Sequence, residues 1–170
     1  SKYESNNDPK IKLFNYKGDL LGESFSFGFS YSNTAPNLVV MTDESTLFLA
    51  TTLQNQQSVI VPVTLTRMGS SGLLLFKPEP ESKRITKGYP TYTYNTAVSV
   101  PGTDYVYFAG YVPYNYNSPA FFVQRLNTKT YSASVGGLGT ETIYGSAFIA
   151  ILAPKSTAKP FVVVRHIHES

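Results

Sequence analysis

The segment Ser24-Phe25-Ser26-Phe27-Gly28-Phe29-Ser30-Tyr31 alternates aromatic residues with small residues without a break. Successive side chains of a β-strand point to opposite faces, so this segment predicts an aromatic face against a core and a small, mostly polar face. The same two-residue period returns along most of the chain, and no segment shows a convincing helical period of 3.6 residues. The sequence therefore predicts an all-β protein.

Length and cysteine content set the expected organisation of the chain. It has 170 residues and no cysteine, and a chain of this length buries a substantial core without disulfides or metals. We expect a polar N-terminal arm over residues 1–9 and a single β-sandwich domain over residues 10–170. The lack of cysteine excludes thiol catalysis, disulfide frameworks and thiolate metal sites.

The surface chemistry is unusual for a soluble domain. Charged residues are only 15% of the chain, while 13 Tyr and 11 Phe raise the aromatic content to 14%; ordinary domains carry roughly 25% charged residues. Such a surface suits a protein whose faces are covered by partners, or one that works outside the cytosol. No apolar run approaches the ~20 residues of a membrane span, so none is predicted.

The positive charge is scattered. The net charge is +3, and the densest basic group is Lys83, Arg84 and Lys87. A nucleic-acid binder gathers its cations into a stripe that neutralises several phosphates. We therefore interpret this group as a solvated loop and do not expect nucleic acid to be the main partner.

The strand pattern favours a sandwich or barrel. About nine or ten short strands, with turns at short intervals, are typical of these architectures. Tyr105 to Tyr111 is apolar on both faces, which predicts a strand in the interior of a sheet. Pro62 lies within an alternating strand and lacks a backbone N–H, which predicts an edge or a bulge there.

One internal pattern suggests a repeat. Residues 38–68 and 97–127 can be laid over each other as a strand, an acidic turn, an apolar strand, an Asn/Gln-containing loop and a further strand. The match is one of pattern rather than of identity. A true repeat and the ordinary alternation of strands with turns both account for it.

The histidines are the first candidates for chemistry. His166 and His168 are the only histidines, and their i, i+2 spacing on a strand places both on one face, where they could chelate a metal. Only Glu169 lies nearby as a further ligand, and a structural site needs more. We interpret them as exposed histidines on an edge strand, and predict no metal and no cofactor.

Other catalytic patterns are weak. Asp43-Glu44 and the pair Glu79 and Glu81 are the nearest carboxylate pairs for glycoside hydrolysis, and both lie in segments interpreted as turn or charged loop. No Gly-x-Ser-x-Gly elbow lies between a strand and a helix. Gly136-Gly137-Leu138-Gly139 lies between strands, whereas a phosphate cradle opens a helix. We predict that the chain is not an enzyme and name no catalytic residue.

The best binding candidate in the sequence is the loop Tyr114-Asn115-Tyr116-Asn117. Tyrosine offers a flat apolar face with a hydroxyl, and asparagine offers a donor and an acceptor together. This combination stacks on sugar rings or builds a protein interface. The alternative is a loop whose tyrosines lie against their own sandwich.

Four short segments carry a resemblance to a known family. They are KLFNYKGDL from Lys12 to Leu20, YVPY from Tyr111 to Tyr114, YSASVG from Tyr131 to Gly136, and PFVVV from Pro160 to Val164. Taken in order, they resemble the later strands of picorna-like virus capsid proteins. The resemblance implies an antiparallel β-sandwich of jelly-roll type without catalysis, cofactor or metal, whose function lies in subunit interfaces.

A second resemblance competes with the first. Asp104 to Tyr111, followed by Phe121 to Asn127, resembles two inner strands of a β-propeller blade. At this length about three four-stranded blades fit, so a closed propeller needs a second chain.

Together these observations predict a structural virion protein, either a capsid subunit or a surface projection. It would act through self-association with other copies or with other capsid proteins, and its location would be the virion, otherwise the extracellular space or cell surface. The alternative is a carbohydrate- or receptor-binding module that uses the Tyr/Asn loop on a β scaffold to bind a glycan or a host receptor.

Overall fold

Strands make up nearly all the regular structure, which confirms the all-β prediction. The computed structural model describes residues 12–24, 38–42, 45–52, 58–68, 72–86, 93–111, 121–137, 148–153 and 161–165. The described residues form twelve strands and one short 3-10 helix, Glu81–Lys83. The strands are β1 (Lys12–Phe14), β2 (Leu20–Ser24), β3 (Leu38–Met41), β4 (Thr46–Thr52), β5 (Ser58–Arg67), β6 (Leu74–Pro78), β7 (Thr93–Ser99), β8 (Tyr105–Tyr111), β9 (Phe121–Asn127), β10 (Ala133–Gly137), β11 (Phe148–Leu152) and β12 (Phe161–Arg165). Residues 25–31 of the alternating aromatic segment lie outside the described residues.

The strands form three sheets. A six-stranded, curled sheet has the order β1-β2-β6-β5-β4-β3, a four-stranded sheet has the order β10-β9-β8-β7, and β11 pairs with β12. Strand β8 has a neighbour on each side, so the prediction of an interior strand is confirmed. Two of the sheets thus contain a meander of four consecutive strands, β3 to β6 and β7 to β10.

The two larger sheets pack face to face. Their shared core contains Phe48, Ala50 and Ile60 from the six-stranded sheet and, from the four-stranded sheet, Tyr94, Val106, Phe108, Phe122 and Leu126, all of them buried. This packing confirms the predicted β-sandwich. The six-stranded sheet buries its other face as well, in a second cluster that includes Leu47, Leu49, Val59, Val61, Val63, Leu65 and Phe76.

The strand order does not confirm the jelly-roll type of the prediction. A jelly roll is built from two Greek keys, whereas most described neighbours in the larger sheets are consecutive strands. Jelly-roll connectivity is therefore not confirmed. One pair, β2 with β6, is parallel rather than antiparallel, and it depends on Gly22, where an added Cβ would lie 2.8 Å from the carbonyl oxygen of Leu74.

Two of the four strand pairs of the meanders are related by the same displacement along the chain. Strand β4 starts at Thr46 and β8 at Tyr105, 59 positions apart, and both have seven residues. Strands β6 and β10, which start at Leu74 and Ala133, show the same displacement and both have five residues. The internal pattern seen in the sequence therefore coincides with two four-stranded meanders, which we call the two units.

The two units contact each other through faces of their strands that do not correspond. Phe48 and Ala50 of β4 face the four-stranded sheet, while Leu47 and Leu49 face the opposite side. In β8, the residues that face the six-stranded sheet are Val106 and Phe108, which are equivalent to Leu47 and Leu49. Each unit therefore contacts the other with a different face, as successive repeats of a stacked array do.

The hairpin of β11 and β12 continues this arrangement. Strand β11 lies close to β7 and β8, and β3, the first strand of the preceding unit, also lies close to β7. Within the described residues the hairpin therefore packs beside β7 as β3 does, and we treat it as a third unit.

Pro62 lies in a strand that is internal to its sheet and pairs there with Phe48 without a bulge in the β4–β5 pairing, so the prediction of an edge or a bulge is wrong. Its local environment nevertheless resembles an edge. The N–H and carbonyl groups of Ile60 both bond to Ile85, and two residues later the carbonyl of Pro62 accepts a bond from the N–H of Glu79 at 2.9 Å. The proline nitrogen faces the same side, between these two contacts, where strand β6 has already ended.

Candidate binding cleft and interaction surfaces

The residues singled out in the sequence have different positions in the structure. The loop Tyr114, Asn115, Tyr116 and Asn117 lies outside the described residues, as do the histidines and the Asp43-Glu44 pair. Glu79 and Glu81 are described, and each pairs with a basic neighbour: Glu79 with Lys83 at 3.2 Å, and Glu81 with Arg84 at 3.7 Å.

The described part of the chain contains neither a cluster of metal ligands nor a membrane-spanning helix. Within it, no three His, Cys, Asp or Glu side chains stand together as a metal site would require. Within the same ranges, no helix is long and apolar enough to cross a membrane.

A cleft of about 390 Å³ opens between the two packed sheets. One wall is the segment Ser82 to Thr86, which follows β6, and the other is the segment Thr130 to Ala133, which connects β9 to β10. Its volume falls within the range of small-molecule sites in proteins. The structure therefore brings together residues from both repeat units at one concave site.

The first wall is held by the edge of the six-stranded sheet. Ile85 is buried and exchanges two backbone hydrogen bonds of 2.9 Å with Ile60. This bridge fixes the direction of the preceding Lys83 and Arg84, both of which line the cleft. The side chain of Arg84 is only 13% exposed, whereas that of Lys83 is 54% exposed.

The second wall is held by the turn between β9 and β10. The side-chain oxygen of Asn127 accepts bonds from the N–H groups of Lys129 and Thr130, at 2.9 and 3.0 Å. The hydroxyls of Thr130 and Ser132 lie 2.9 Å apart. This local network presents two hydroxyl groups across from the basic wall.

Tyr131 lies in the middle of this wall and has an unusual backbone. Its φ of 57° is the one positive value among the described non-glycine residues, and this left-handed region costs a residue with a Cβ about 1–2 kcal/mol. The ring packs edge-on against Phe48 of the other sheet, with centroids 6.1 Å apart. Contact across the sandwich offsets the backbone cost.

The repeat shows what this position contains in the other unit. Gly72, 59 positions earlier, has a φ of 68°. Both turns have the same hydrogen bonds: Gly72 donates to Met68 at 3.0 Å, and Tyr131 donates to Asn127 at 2.9 Å. Tyr131 therefore takes a position that the first unit fills with glycine, and its side chain lines the cleft.

The strain at Tyr131 leads to an expected result. Tyr131→Ala loses the ring contact but keeps a Cβ at positive φ, whereas Tyr131→Gly loses the contact and relieves the strain. We expect the glycine variant to be the more stable of the two by about 1 kcal/mol, as measured by urea unfolding.

Ser132 provides the matched comparison. It is exposed and has no positive φ, so Ser132→Ala should be at least as stable as Ser132→Gly. If the alanine variant is at least as stable as the glycine variant at position 131, as expected at position 132, then Tyr131 is not strained.

A second candidate surface is the edge of strand β12. In β4 and β8, the second strands of their units, Phe48 and Phe108 are fully buried, and each strand has a neighbour on both sides. Strand β12 has β11 as its single partner among the described strands, and Val163 is 49% exposed. Unpaired strand edges are templates for pairing with another chain.

Comparisons of the chain with protein-family models, with curated proteins and with solved structures found no match.

Proposed function

We propose that the chain is a structural virion protein, a capsid subunit or surface projection, that acts through self-association. Its partners are other copies of the chain or other capsid proteins, and its location is the virion or otherwise the extracellular space or cell surface. The proposal assigns no catalytic role.

The observation that carries the proposal is strand β12, which has β11 as its single partner among the described strands and exposes Val163. A strand of another chain that pairs with β12 would extend this sheet. Main-chain pairing at an exposed edge is a common mode of protein association.

The opposite end of the fold offers a partner for this edge. Strand β1 is the outermost strand of the six-stranded sheet, and it exposes Phe14, which is 53% accessible. We assign β1 of a second copy as the strand that pairs with β12. Because the two edges differ, the contact is heterologous, and it generates rings or open filaments rather than closed dimers.

The resemblance to capsid proteins supports the virion assignment. The described parts of its four segments lie on or beside strands β1, β2, β8, β10 and β12. The low charge also fits, because self-association buries large surfaces and charged residues are depleted in the centre of interfaces.

The proposed interface predicts the effect of a charge on β12. Val163→Lys places an ammonium group on the exposed edge, which is a device that natural proteins use to block edge pairing. We expect the concentration needed for assembly to rise about tenfold or more. Light scattering across protein concentration and salt measures the mass of the particles.

The control is Val135→Lys on β10, another exposed valine on an edge strand, which should assemble as the unmodified chain does. Phe14→Lys should block the β1 edge. Mixing the Phe14→Lys and Val163→Lys variants leaves one intact edge on each chain, so the mixture should form a dimer and nothing larger. A monomeric unmodified chain at all concentrations would contradict the proposal.

A further inference from the structure

We propose that the cleft between the sheets binds an acidic saccharide, meaning a sugar unit that carries a carboxylate. This site is separate from the sheet edges assigned to self-association. It also differs from the Tyr114 to Asn117 loop.

The basic wall accounts for the negative charge of the ligand. Lys83 and Arg84 line the cleft, and none of the described lining residues is acidic. Arg84 contacts Glu81 at 3.7 Å, and the Glu81 side chain is 86% exposed. The Arg84 side chain is only 13% exposed, so the solvent-exposed partner in this long contact is Glu81. A ligand carboxylate can replace that carboxylate at the guanidinium and form a charge-assisted hydrogen bond there.

Hydroxyl-bearing residues on both walls account for the sugar. Side-chain hydroxyls of Ser82, Thr86, Thr130 and Ser132 surround the cleft. A hydroxyl both donates and accepts hydrogen bonds, which matches the hydroxyls of a sugar ring, whereas a phosphate ion mainly accepts them.

Apolar contact is available at the same place. Ile85, Tyr131 and Ala133 also line the cleft, and they can cover the C–H face of a sugar ring. A tyrosine offers such a face together with a polar hydroxyl. Tyr131 has a positive φ where the other unit has Gly72. Strained backbone conformations cluster at ligand sites, so this strain agrees with a role of Tyr131 in the site.

The test is a titration of the isotope-labelled chain followed by NMR. The probes are glucuronic acid, glucose, which has a hydroxymethyl group in place of the carboxylate, and inorganic phosphate. We expect glucuronic acid to shift the amide signals of residues 82–86 and 130–133. Glucose and phosphate should bind at least about tenfold more weakly, since each lacks either the charge-assisted bonds or the ring contacts.

Two variants distinguish binding in the cleft from a nonspecific effect of removing a positive charge. Lys83→Gln removes an exposed cation of the cleft and should weaken glucuronic acid binding several-fold. Lys77→Gln removes the same charge from the exposed Lys77 on β6, which does not line the cleft, and should leave binding unchanged. Both positions are exposed, so neither variant threatens folding.

Each contrary result overturns the proposal in its own way. Equal binding of phosphate would make the cleft a simple anion site, and equal binding of glucose would remove the role of the carboxylate. A lack of shifts at the cleft with glucuronic acid, or equal weakening by both lysine variants, would show that no such saccharide site exists.

Discussion

Phe48→Ala is expected to lower the free energy of unfolding by about 3–5 kcal/mol, the usual cost of removing a buried phenylalanine ring. Phe48 is fully buried and belongs to the core shared by the two sheets. It also contacts the ring of Tyr131 edge-on. The substitution therefore leaves a cavity between the units and removes the contact that offsets the strain at Tyr131.

Urea unfolding measures this loss directly. With a slope of about 2 kcal/mol per molar urea, the midpoint should fall by about 2 M. Phe14→Ala is the matched control, because Phe14 is 53% exposed and exposed substitutions change stability by about 0.5 kcal/mol. Equal midpoints for the two variants would mean that the sheets do not pack through Phe48.

Much of the fold was predictable because a two-residue period reports which faces of a strand are buried. In β8, Val106 and Phe108 alternate with Tyr105 and Tyr107, and this pattern correctly indicated an interior strand. The repeat was visible for the same reason, since equivalent strands have similar patterns. These signals are local, and they depend only on residues close together in the sequence.

Strand order was not predictable in this way. Periodicity is the same in a meander and in a jelly roll, so nothing in the pattern of Leu20 to Ser24 indicates that β2 pairs with β6 in parallel. Pro62 was misplaced for a related reason. Its missing N–H faces a gap in the sheet that arises only because β6 ends before Glu79.

The cleft was also not predictable from the sequence. Its walls come from residues 82–86 and 130–133, almost 50 positions apart, and they meet only because the units stack. The sequence did mark Lys83 and Arg84 as part of the densest basic group. Nothing in the pattern marked Tyr131 as a strained residue, and its backbone is recognised by comparison with Gly72, which has a similar φ and the same turn hydrogen bond.

The second large effect is expected at a buried polar pair in the same core. The hydroxyl of Tyr94 donates to the side-chain oxygen of Gln124 at 2.9 Å, and the two residues are 3% and 0% exposed. Gln124→Leu keeps the size of the side chain but removes this acceptor, and a buried hydrogen-bonding group that loses its partner costs about 1–3 kcal/mol. Urea unfolding should show a loss of about 2–3 kcal/mol.

A double-mutant cycle with Tyr94→Phe distinguishes the hydrogen bond from packing. Gln124 lies 59 positions after Leu65, which is buried in the first unit, so the first unit already has an apolar residue where the second has glutamine. Replacing both polar groups should therefore cost less than the sum of the single changes, by about 1–2 kcal/mol. The rings of Phe108 and Phe122, with centroids 5.9 and 5.4 Å from that of Tyr94, remain available to phenylalanine. Strict additivity would instead show that Gln124 is stabilised by its other contacts and that the bond to Tyr94 adds nothing.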